Sequence, residues 1–182
     1  ALVVVFQPEL RRALVRLGEA RLFRTTAAEI EPIIVEIVRA MTYLSRNKIG
    51  AILAIERDVP LGGITESGTP VRAEVSAELL QTIFWPGTTL HDMGVVIRDG
   101  VVAAAGVQFP LYEGEDISSE LGSRHRAALG LSQETDCLVV VVSEETGAIS
   151  LAERGNLVRK LTPEALESML RTGLAASSPA VV

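Results

Sequence analysis

Apolar residues recur at helical spacing near the start of the chain. Residues 7–23 carry Leu10, Leu14 and Leu17 three or four positions apart, which predicts a first helix. Residues 29–45 predict a second helix with Pro32 in its first turn. One stripe of this second helix collects Ile30, Ile33, Ile34, Ile37, Val38 and Met41.

Three more helices are predicted further along the chain. Residues 76–84 form one with its inward positions at Leu79, Leu80, Ile83 and Phe84. Residues 123–131 form a short helix that stops near Gly130. Residues 163–173 form the last, with Thr162 as the N-cap, Pro163 in the first helical position and Gly173 as the stop.

Strand patterns fill the region between these helices. Residues 49–56 are a near-continuous apolar run, which indicates a buried central strand. Residues 57–73 are rich in Gly, Pro and Thr and predict a loop. A hairpin is predicted over residues 94–109, because Asp99-Gly100 suits a two-residue turn. Residues 137–161 predict three strands joined by a Thr-Gly turn and a Gly-Asn turn.

No repeat or linker interrupts this series of elements. We therefore predict one α/β domain, with a mixed and mostly β central sheet flanked by helices. Residues 1–173 are expected to form this domain and residues 174–182 a flexible tail. The length of 182 residues and the hydrophobic fraction of 48% suit a single compact core.

Charge and cysteine content narrow the function classes. The net charge is −6, which argues against a nucleic-acid partner, because phosphate contacts usually need a basic face. Cys137 is the one cysteine, so neither an intrachain disulfide nor a cysteine-based zinc site can form. No apolar run approaches the ~20 residues of a membrane span. The chain starts without Met inside an apolar segment, which we interpret as a processed chain or a piece of a longer protein that lacks upstream membrane helices.

Polar residues able to do chemistry form three clusters beside predicted strands or helices. They are residues 88–94, residues 122–126 and residues 143–147. Open α/β sheets usually bind ligands where strands end and helices begin. Both histidines of the chain fall in these clusters.

The second cluster combines several anion-binding signals. Gly122 allows close backbone approach, Ser123 can donate to a phosphate oxygen, and Arg124 and Arg126 flank His125 at a helix start. The alternative is a solvated basic turn whose arginines pair with Glu113, Glu115 or Asp116.

The other two clusters supply carboxylates. His91 and Asp92 could ligate a divalent metal or deprotonate a hydroxyl, but a turn aspartate beside an incidental histidine is the alternative. Glu144 or Glu145 could hold a metal and Ser143 could contact a phosphate, unless the segment is an ordinary hairpin tip. Together the clusters indicate phosphoryl or nucleotidyl transfer.

Three motifs, "LHDMGVVI", "LGSRHRAALG" and "VVVVSEETGAISL", together resemble the diadenylate cyclase (DAC) domain. The likeness runs from about Val3 to Leu161 and is greatest to the catalytic domain of the membrane-linked housekeeping bacterial type. It implies an enzyme that joins two ATP molecules into cyclic di-AMP and releases two pyrophosphates. Each 3′-hydroxyl attacks the α-phosphorus of the other ATP across a homodimer of facing sites. A manganese, magnesium or cobalt ion is implied as cofactor.

The resemblance also implies residue roles. Catalytic roles fall to Asp92, Arg124, His125 and Arg126. Metal binding falls to His91, Asp92 and Glu145. ATP binding falls to Met93, Gly94, Gln108, Phe109, Gly122, Ser123, Ser143 and Glu145.

The same resemblance implies a cytoplasmic domain of a membrane-anchored bacterial protein. A membrane regulatory protein and a phosphoglucosamine mutase are implied as partners.

One motif departs from the family pattern. The usual Asp-Gly-Ala stands here as Asp92-Met93-Gly94. Met93 could crowd the ribose or point away, and Gly94 could do the work of the usual glycine through a shifted backbone. The alternative to a working cyclase is therefore an impaired or non-catalytic nucleotide-binding module. A structural domain with polar loop tips is the third hypothesis.

Overall fold

The computed structural model describes residues 27–114 and 121–175. The helices of this part of the chain are α1 (Ala27–Arg46), α2 (Gly62–Thr65), α3 (Ala77–Phe84), α4 (Ser123–Glu134) and α5 (Pro163–Ala175). Its strands are β1 (Ala51–Ile55), β2 (Thr69–Glu74), β3 (Gly94–Arg98), β4 (Val101–Val107), β5 (Leu138–Val142), β6 (Ile149–Glu153) and β7 (Asn156–Leu161). The predicted helix at 7–23 and residues 176–182 of the predicted tail lie outside the described residues.

The seven strands form one mixed sheet in the order β2-β4-β3-β1-β5-β6-β7. Strands β1 and β3 are parallel, and every other neighbouring pair is antiparallel. β1 is the middle strand, and all five of its residues are buried. The predicted buried central strand and the predicted mixed α/β fold are therefore confirmed.

Both faces of the central strands are covered. Leu53 and Val140 belong to a core shared with α1, α3 and α5. Ile52 and Val141, one residue along each strand, belong to a second core that includes residues of α4. This two-sided burial explains why β1 and β5 are continuous apolar runs rather than alternating ones.

Helix α1 buries the predicted apolar stripe. Ile34, Ile37 and Met41 are fully buried. Pro32 was predicted in the first turn of this helix, but the helix begins at Ala27 and Pro32 lies beyond its first turn. None of the helices in residues 27–114 and 121–175 is long and apolar enough to cross a membrane.

Two of the hairpins in the sheet have two-residue turns. Asp99 and Gly100 have φ values of 49° and 78°, the left-handed pair that a primed two-residue turn needs, so the predicted β3–β4 hairpin is confirmed. The turn between β6 and β7 uses Arg154 and Gly155, with φ values of 49° and 75°. The predicted Gly-Asn turn is therefore shifted by one residue, and Asn156 starts β7.

The prediction of a loop over residues 57–73 was wrong for part of this segment. It contains α2 and most of strand β2. Among the described strands, β2 is an edge strand that pairs with β4 alone. Pro70, opposite Ala104, is tolerated there because an edge strand leaves one row of backbone groups unpaired.

The sequence predicted that Gly130 and Gly173 each end a helix. In the structure both lie inside their helices. A Cβ on Gly130 would lie 2.4 Å from the carbonyl oxygen of Pro110. A Cβ on Gly173 would lie 2.8 Å from Cδ1 of Leu138. Both glycines therefore serve close packing, and α5 continues to Ala175. Its predicted start is confirmed, because the Thr162 hydroxyl accepts the backbone N–H of Ala165 at 3.2 Å.

Candidate functional site

The strand register brings two of the three polar clusters to one end of the sheet. Ala51 at the start of β1 pairs with Val142 at the end of β5. The parallel strand β3 begins at the same end, where Gly94 pairs with Val107 at the end of β4. Neighbouring strands lie ~4.8 Å apart, so the lines of β3 and β5 are about 10 Å apart. Residues 91–94, 108–109 and 143–145 therefore border one small region.

Helix α4 adds the third cluster to this end. Nη1 of Arg124 donates to Oε2 of Glu144 at 2.6 Å. A Cβ on Gly50, just before β1, would lie 2.6 Å from Cζ of Arg124. The first turn of α4 therefore lies against both the start of β1 and the segment after β5.

The segment 143–147 is a closed and anchored turn. The backbone N–H of Ser143 donates to Ala148 at 3.0 Å, and that of Gly147 donates back to Ser143 at 2.8 Å. The Ser143 hydroxyl accepts the N–H of Thr146 at 3.3 Å. At the end of α1, the Ser45 hydroxyl donates to the carbonyl of Gly147 at 2.6 Å. These bonds fix the backbone that carries Glu144 and Glu145.

His91 and Asp92 form a pair just before β3. Nδ1 of His91 lies against the carbonyl of Thr88, which can only accept, so Nδ1 carries the proton. Nε2 of a neutral ring then presents a lone pair, and it lies 3.0 Å from Oδ1 of Asp92. Two acceptors face one another unless a proton or a cation lies between them. The Asp92 side chain is 79% exposed and so is accessible to a ligand.

Phe109 packs directly over Gly94. A Cβ on Gly94 would lie only 2.3 Å from Cε2 of the Phe109 ring. The ring is buried in the core beneath α4. Met93 is 44% exposed, so its side chain is not packed into either core. Gln108 is exposed and its backbone N–H donates to the Ser67 hydroxyl at 3.1 Å.

Arg124, His125 and Arg126 have three different surroundings. Arg124 is 17% exposed beside Glu144 and is not a solvated residue. His125 is buried, with Nε2 3.4 Å from the Ser150 hydroxyl. Burial and the charge of Arg159 lower the pKa of His125, against a smaller opposing effect of Glu145.

Arg126 is exposed and donates through Nε and Nη2 to the carbonyl of Tyr112, at 3.3 and 3.2 Å. The N–H of Tyr112 donates to the carbonyl of Arg126 at 3.0 Å, so the two residues tie α4 to the segment after Phe109. The roles predicted for His125 and Arg126 in a reaction stay predictions.

The start of α4 offers an exposed backbone. Gly122 is the N-cap residue and no side chain caps this helix within the described residues. Gly122 and Ser123 are both exposed. The backbone N–H groups of these exposed residues, at the positive end of the helix, can therefore face an anion.

The structure identifies neighbours that the sequence did not single out. Gly50 makes room for Arg124, Ser45 anchors the 143–147 turn, and Ser150 faces His125. Each lies in a different element from its partner, so no local pattern predicts these contacts. Of the acidic partners considered for the arginines, Glu115 and Asp116 lie outside the described residues.

In residues 27–114 and 121–175, no three His, Cys, Asp or Glu side chains come together as a ready-made metal site. His91 with Asp92 is a two-residue donor set of the kind that divalent cations accept. A cation held there would complete its coordination with oxygens of a ligand or of water.

Residues 38–157 match the model of the DAC family, described as DisA bacterial checkpoint controller nucleotide-binding. The cyclic di-AMP synthase CdaA of Bacillus subtilis is 48% identical over 174 residues, covering 93% of this chain and 64% of that protein. A diadenylate cyclase of Listeria monocytogenes is 42% identical over the same coverage. The chain thus spans 64% of the length of these relatives. The crystal structure of a DacA double mutant from Staphylococcus aureus is 36% identical, with a TM-score of 0.78 over 81% of this chain and 98% of that one.

Proposed function

Because the chain belongs to the DAC family of DisA bacterial checkpoint controller nucleotide-binding domains, we propose that it is a diadenylate cyclase. Its substrate is ATP, and its products are cyclic di-AMP and two pyrophosphates. Each 3′-oxygen forms a bond to the α-phosphorus of the other ATP. The bond from that phosphorus to the bridging oxygen breaks, and pyrophosphate leaves with the electron pair.

One observation carries this proposal beyond the names of the relatives. Asp92, Arg124 and the 143–147 turn, three separate parts of the sequence, converge on one end of the sheet. This end combines an accessible carboxylate with an arginine and with the backbone N–H groups at the start of α4. Phosphoryl-type transfer depends mainly on positioning and charge neutralisation, which are the properties that these groups provide.

Asp92 is the proposed general base. One of its oxygens faces His91, and its exposed side chain can present Oδ2 to a 3′-hydroxyl and take up the proton. Arg124, Ser123 and the backbone of Gly122 bind phosphate oxygens, with Ser143 and Glu145 at the other side. Gln108, Phe109, Met93 and Gly94 border the nucleoside. His125 and Arg126 hold α4 in place around these contacts.

A divalent manganese, magnesium or cobalt ion fits the donor set of this site. His91 and Asp92 would hold it, since their facing acceptors repel one another without a cation or proton between them. Glu145 is a third candidate ligand. When bound, the ion would neutralise charge on the triphosphate.

Two facing sites are needed for the reaction, so we propose a homodimer that forms at least transiently. We propose that residues 1–173 form the cytoplasmic catalytic domain of a membrane-anchored protein. The crystal structure of a hypothetical membrane-spanning protein from Bacillus cereus, 40% identical with a TM-score of 0.68 over 70% of this chain, supports the membrane attachment. A membrane regulator and a phosphoglucosamine mutase remain proposed partners, and nucleic acid is not one.

The test is synthesis of cyclic di-AMP by the purified protein. We expect product from ATP with one of the three metals, and a rate per protein molecule that rises with protein concentration. Asp92→Asn should nearly abolish turnover, because the amide cannot take up the proton. Asp99→Asn is the matched control, since it lies in the turn at the far end of β3 and Asn tolerates its positive φ. No cyclic dinucleotide at any concentration would refute the proposed activity, and full activity of Asp92→Asn would remove Asp92 from the mechanism.

A further inference from the structure

Arg124 is held in an unusual way for a residue at the mouth of a ligand site. Its side chain is 17% exposed, and Nε is buried with no hydrogen-bond partner among the described residues. Nη1 donates to Glu144, which is itself 63% exposed. A long arginine side chain with a buried and unsatisfied Nε would ordinarily turn towards solvent. Something therefore holds it in place.

Gly50 is the first of two residues that hold the Arg124 side chain in place. A Cβ at this position would lie 2.6 Å from both Cζ and Nη1 of Arg124 and 3.0 Å from Oε2 of Glu144. The guanidinium and the carboxylate thus both lie against the backbone just before β1, closer than any side chain would permit. Gly50 is itself buried.

Glu144 is the second residue that holds the Arg124 side chain, and its own backbone is fixed. It lies in the turn closed by the Ser143–Ala148 and Gly147–Ser143 hydrogen bonds. The Ser45 hydroxyl of α1 anchors that turn through Gly147. An acceptor on a fixed backbone can set the direction of the donor that binds it.

We propose that Glu144 is a positioning residue that holds the Arg124 guanidinium against the backbone of Gly50 so that it is preset for the triphosphate. This inference rests on the proposed function and assigns to Glu144 a role in ATP affinity. Two effects of Glu144 oppose each other, because its charge also repels phosphate. The ordering effect dominates, since the charge of a 63% exposed carboxylate is screened by water while Arg124 is nearly enclosed.

The magnitude follows from the cost of ordering a long side chain on binding, which can change affinity up to about tenfold. Glu144→Ala should therefore raise the KM for ATP about five- to tenfold, with a smaller change in kcat. Glu144→Gln should restore KM to within about threefold of wild type, because its amide oxygen still accepts from Nη1. Gly50→Ala should raise KM by an independent route, since its Cβ displaces the guanidinium.

One further background and one control variant show whether the effect of Glu144 depends on Arg124. In an Arg124→Ala protein, adding Glu144→Ala should change the Kd of a non-reacting ATP analogue by less than twofold, because no guanidinium is left to position. Glu78→Ala is the matched control: Glu78 is a 70% exposed glutamate that pairs with Arg39 at 3.0 Å in another part of the molecule. It should leave KM unchanged.

Calorimetric titration with α,β-methylene-ATP, which cannot react at the scissile bond, separates this inference from the proposed function. If wild type binds the analogue but makes no cyclic di-AMP, the cyclase proposal fails while Glu144→Ala still has to weaken Kd. An unchanged KM and Kd in Glu144→Ala, or tighter binding in both Glu144 variants, would overturn the positioning role alone. A wild-type protein that neither binds nor turns over would overturn both.

Discussion

Gly94→Ala tests the contact between the start of β3 and the Phe109 ring. The added Cβ would lie 2.3, 2.4 and 3.0 Å from Cε2, Cζ and Cδ2 of the ring. Carbon atoms in contact sit about 3.5–4.0 Å apart, so the ring has to move by more than ~1 Å. It is only 6% exposed and packed in the core beneath α4, so the movement disturbs its neighbours.

Two effects of opposite sign set the magnitude. Overpacking a buried site costs about 1–3 kcal/mol. Replacing glycine by alanine restricts the unfolded chain, which returns about 0.4–1 kcal/mol. We expect a net loss of roughly 1–2 kcal/mol, which in a protein of this size lowers Tm by roughly 2–8 °C.

Thermal unfolding of four proteins provides the assay: wild type, Gly94→Ala, Phe109→Leu and the double variant. The alanine should cost much less in the Phe109→Leu background, because leucine does not extend over residue 94. Gly63→Ala is the control, since no atom of the described residues lies within 4 Å of a Cβ there. An unchanged Tm in Gly94→Ala, or an equal loss in both backgrounds, would refute the steric argument. A variant that restores Asp-Gly-Ala at residues 92–94 must therefore also change Phe109.

Two further predictions concern buried titratable groups. The pKa of His125 lies below 6.5 in the folded protein, so its contribution to stability is complete above pH 6.5 and is lost as the pH falls through the folded pKa. Wild type should therefore lose more Tm than His125→Gln between pH 7.5 and 5 in metal-free buffer, and equal losses would contradict this. Burial raises the pKa of the Cys137 thiol to about 11, so iodoacetamide at pH 8 should label the native protein far more slowly than the protein in urea. Equally fast labelling of the folded protein would contradict the burial of this thiol.

The fold could be predicted wherever burial produced a pattern in the sequence. The apolar stripe of α1 and the continuous run of β1 are direct results of one-sided and two-sided burial. β2 left no such pattern, because an edge strand with Pro70 and mostly exposed residues resembles a loop. The sequence predicts helix ends at Gly130 and Gly173, because it does not show that Pro110 and Leu138 approach them from other elements.

The candidate site, like the fold, could be predicted from the sequence only where its residues are neighbours in the chain. Local sequence identified the three polar clusters, because glycine, arginine, histidine and carboxylates stand close together in each. The register of β1 with β3 and β5 brings two of these clusters to one end, and that long-range pairing has no local signal. The pairing of Arg124 with Glu144 over the backbone of Gly50 depends on three elements, so only the structure reveals it.

The complete burial of β1 and β5 has a consequence for how this end of the sheet moves. Amide hydrogens in such strands exchange with solvent only when most of the molecule opens, whereas edge strands and exposed turns exchange through local opening. Gly50 directly precedes β1, and the turn carrying Glu144 directly follows β5. The backbone on which Arg124 rests is therefore joined directly to the slowest-exchanging strands of the protein, while Asp92 stands on an exposed turn that can open locally without disturbing the sheet.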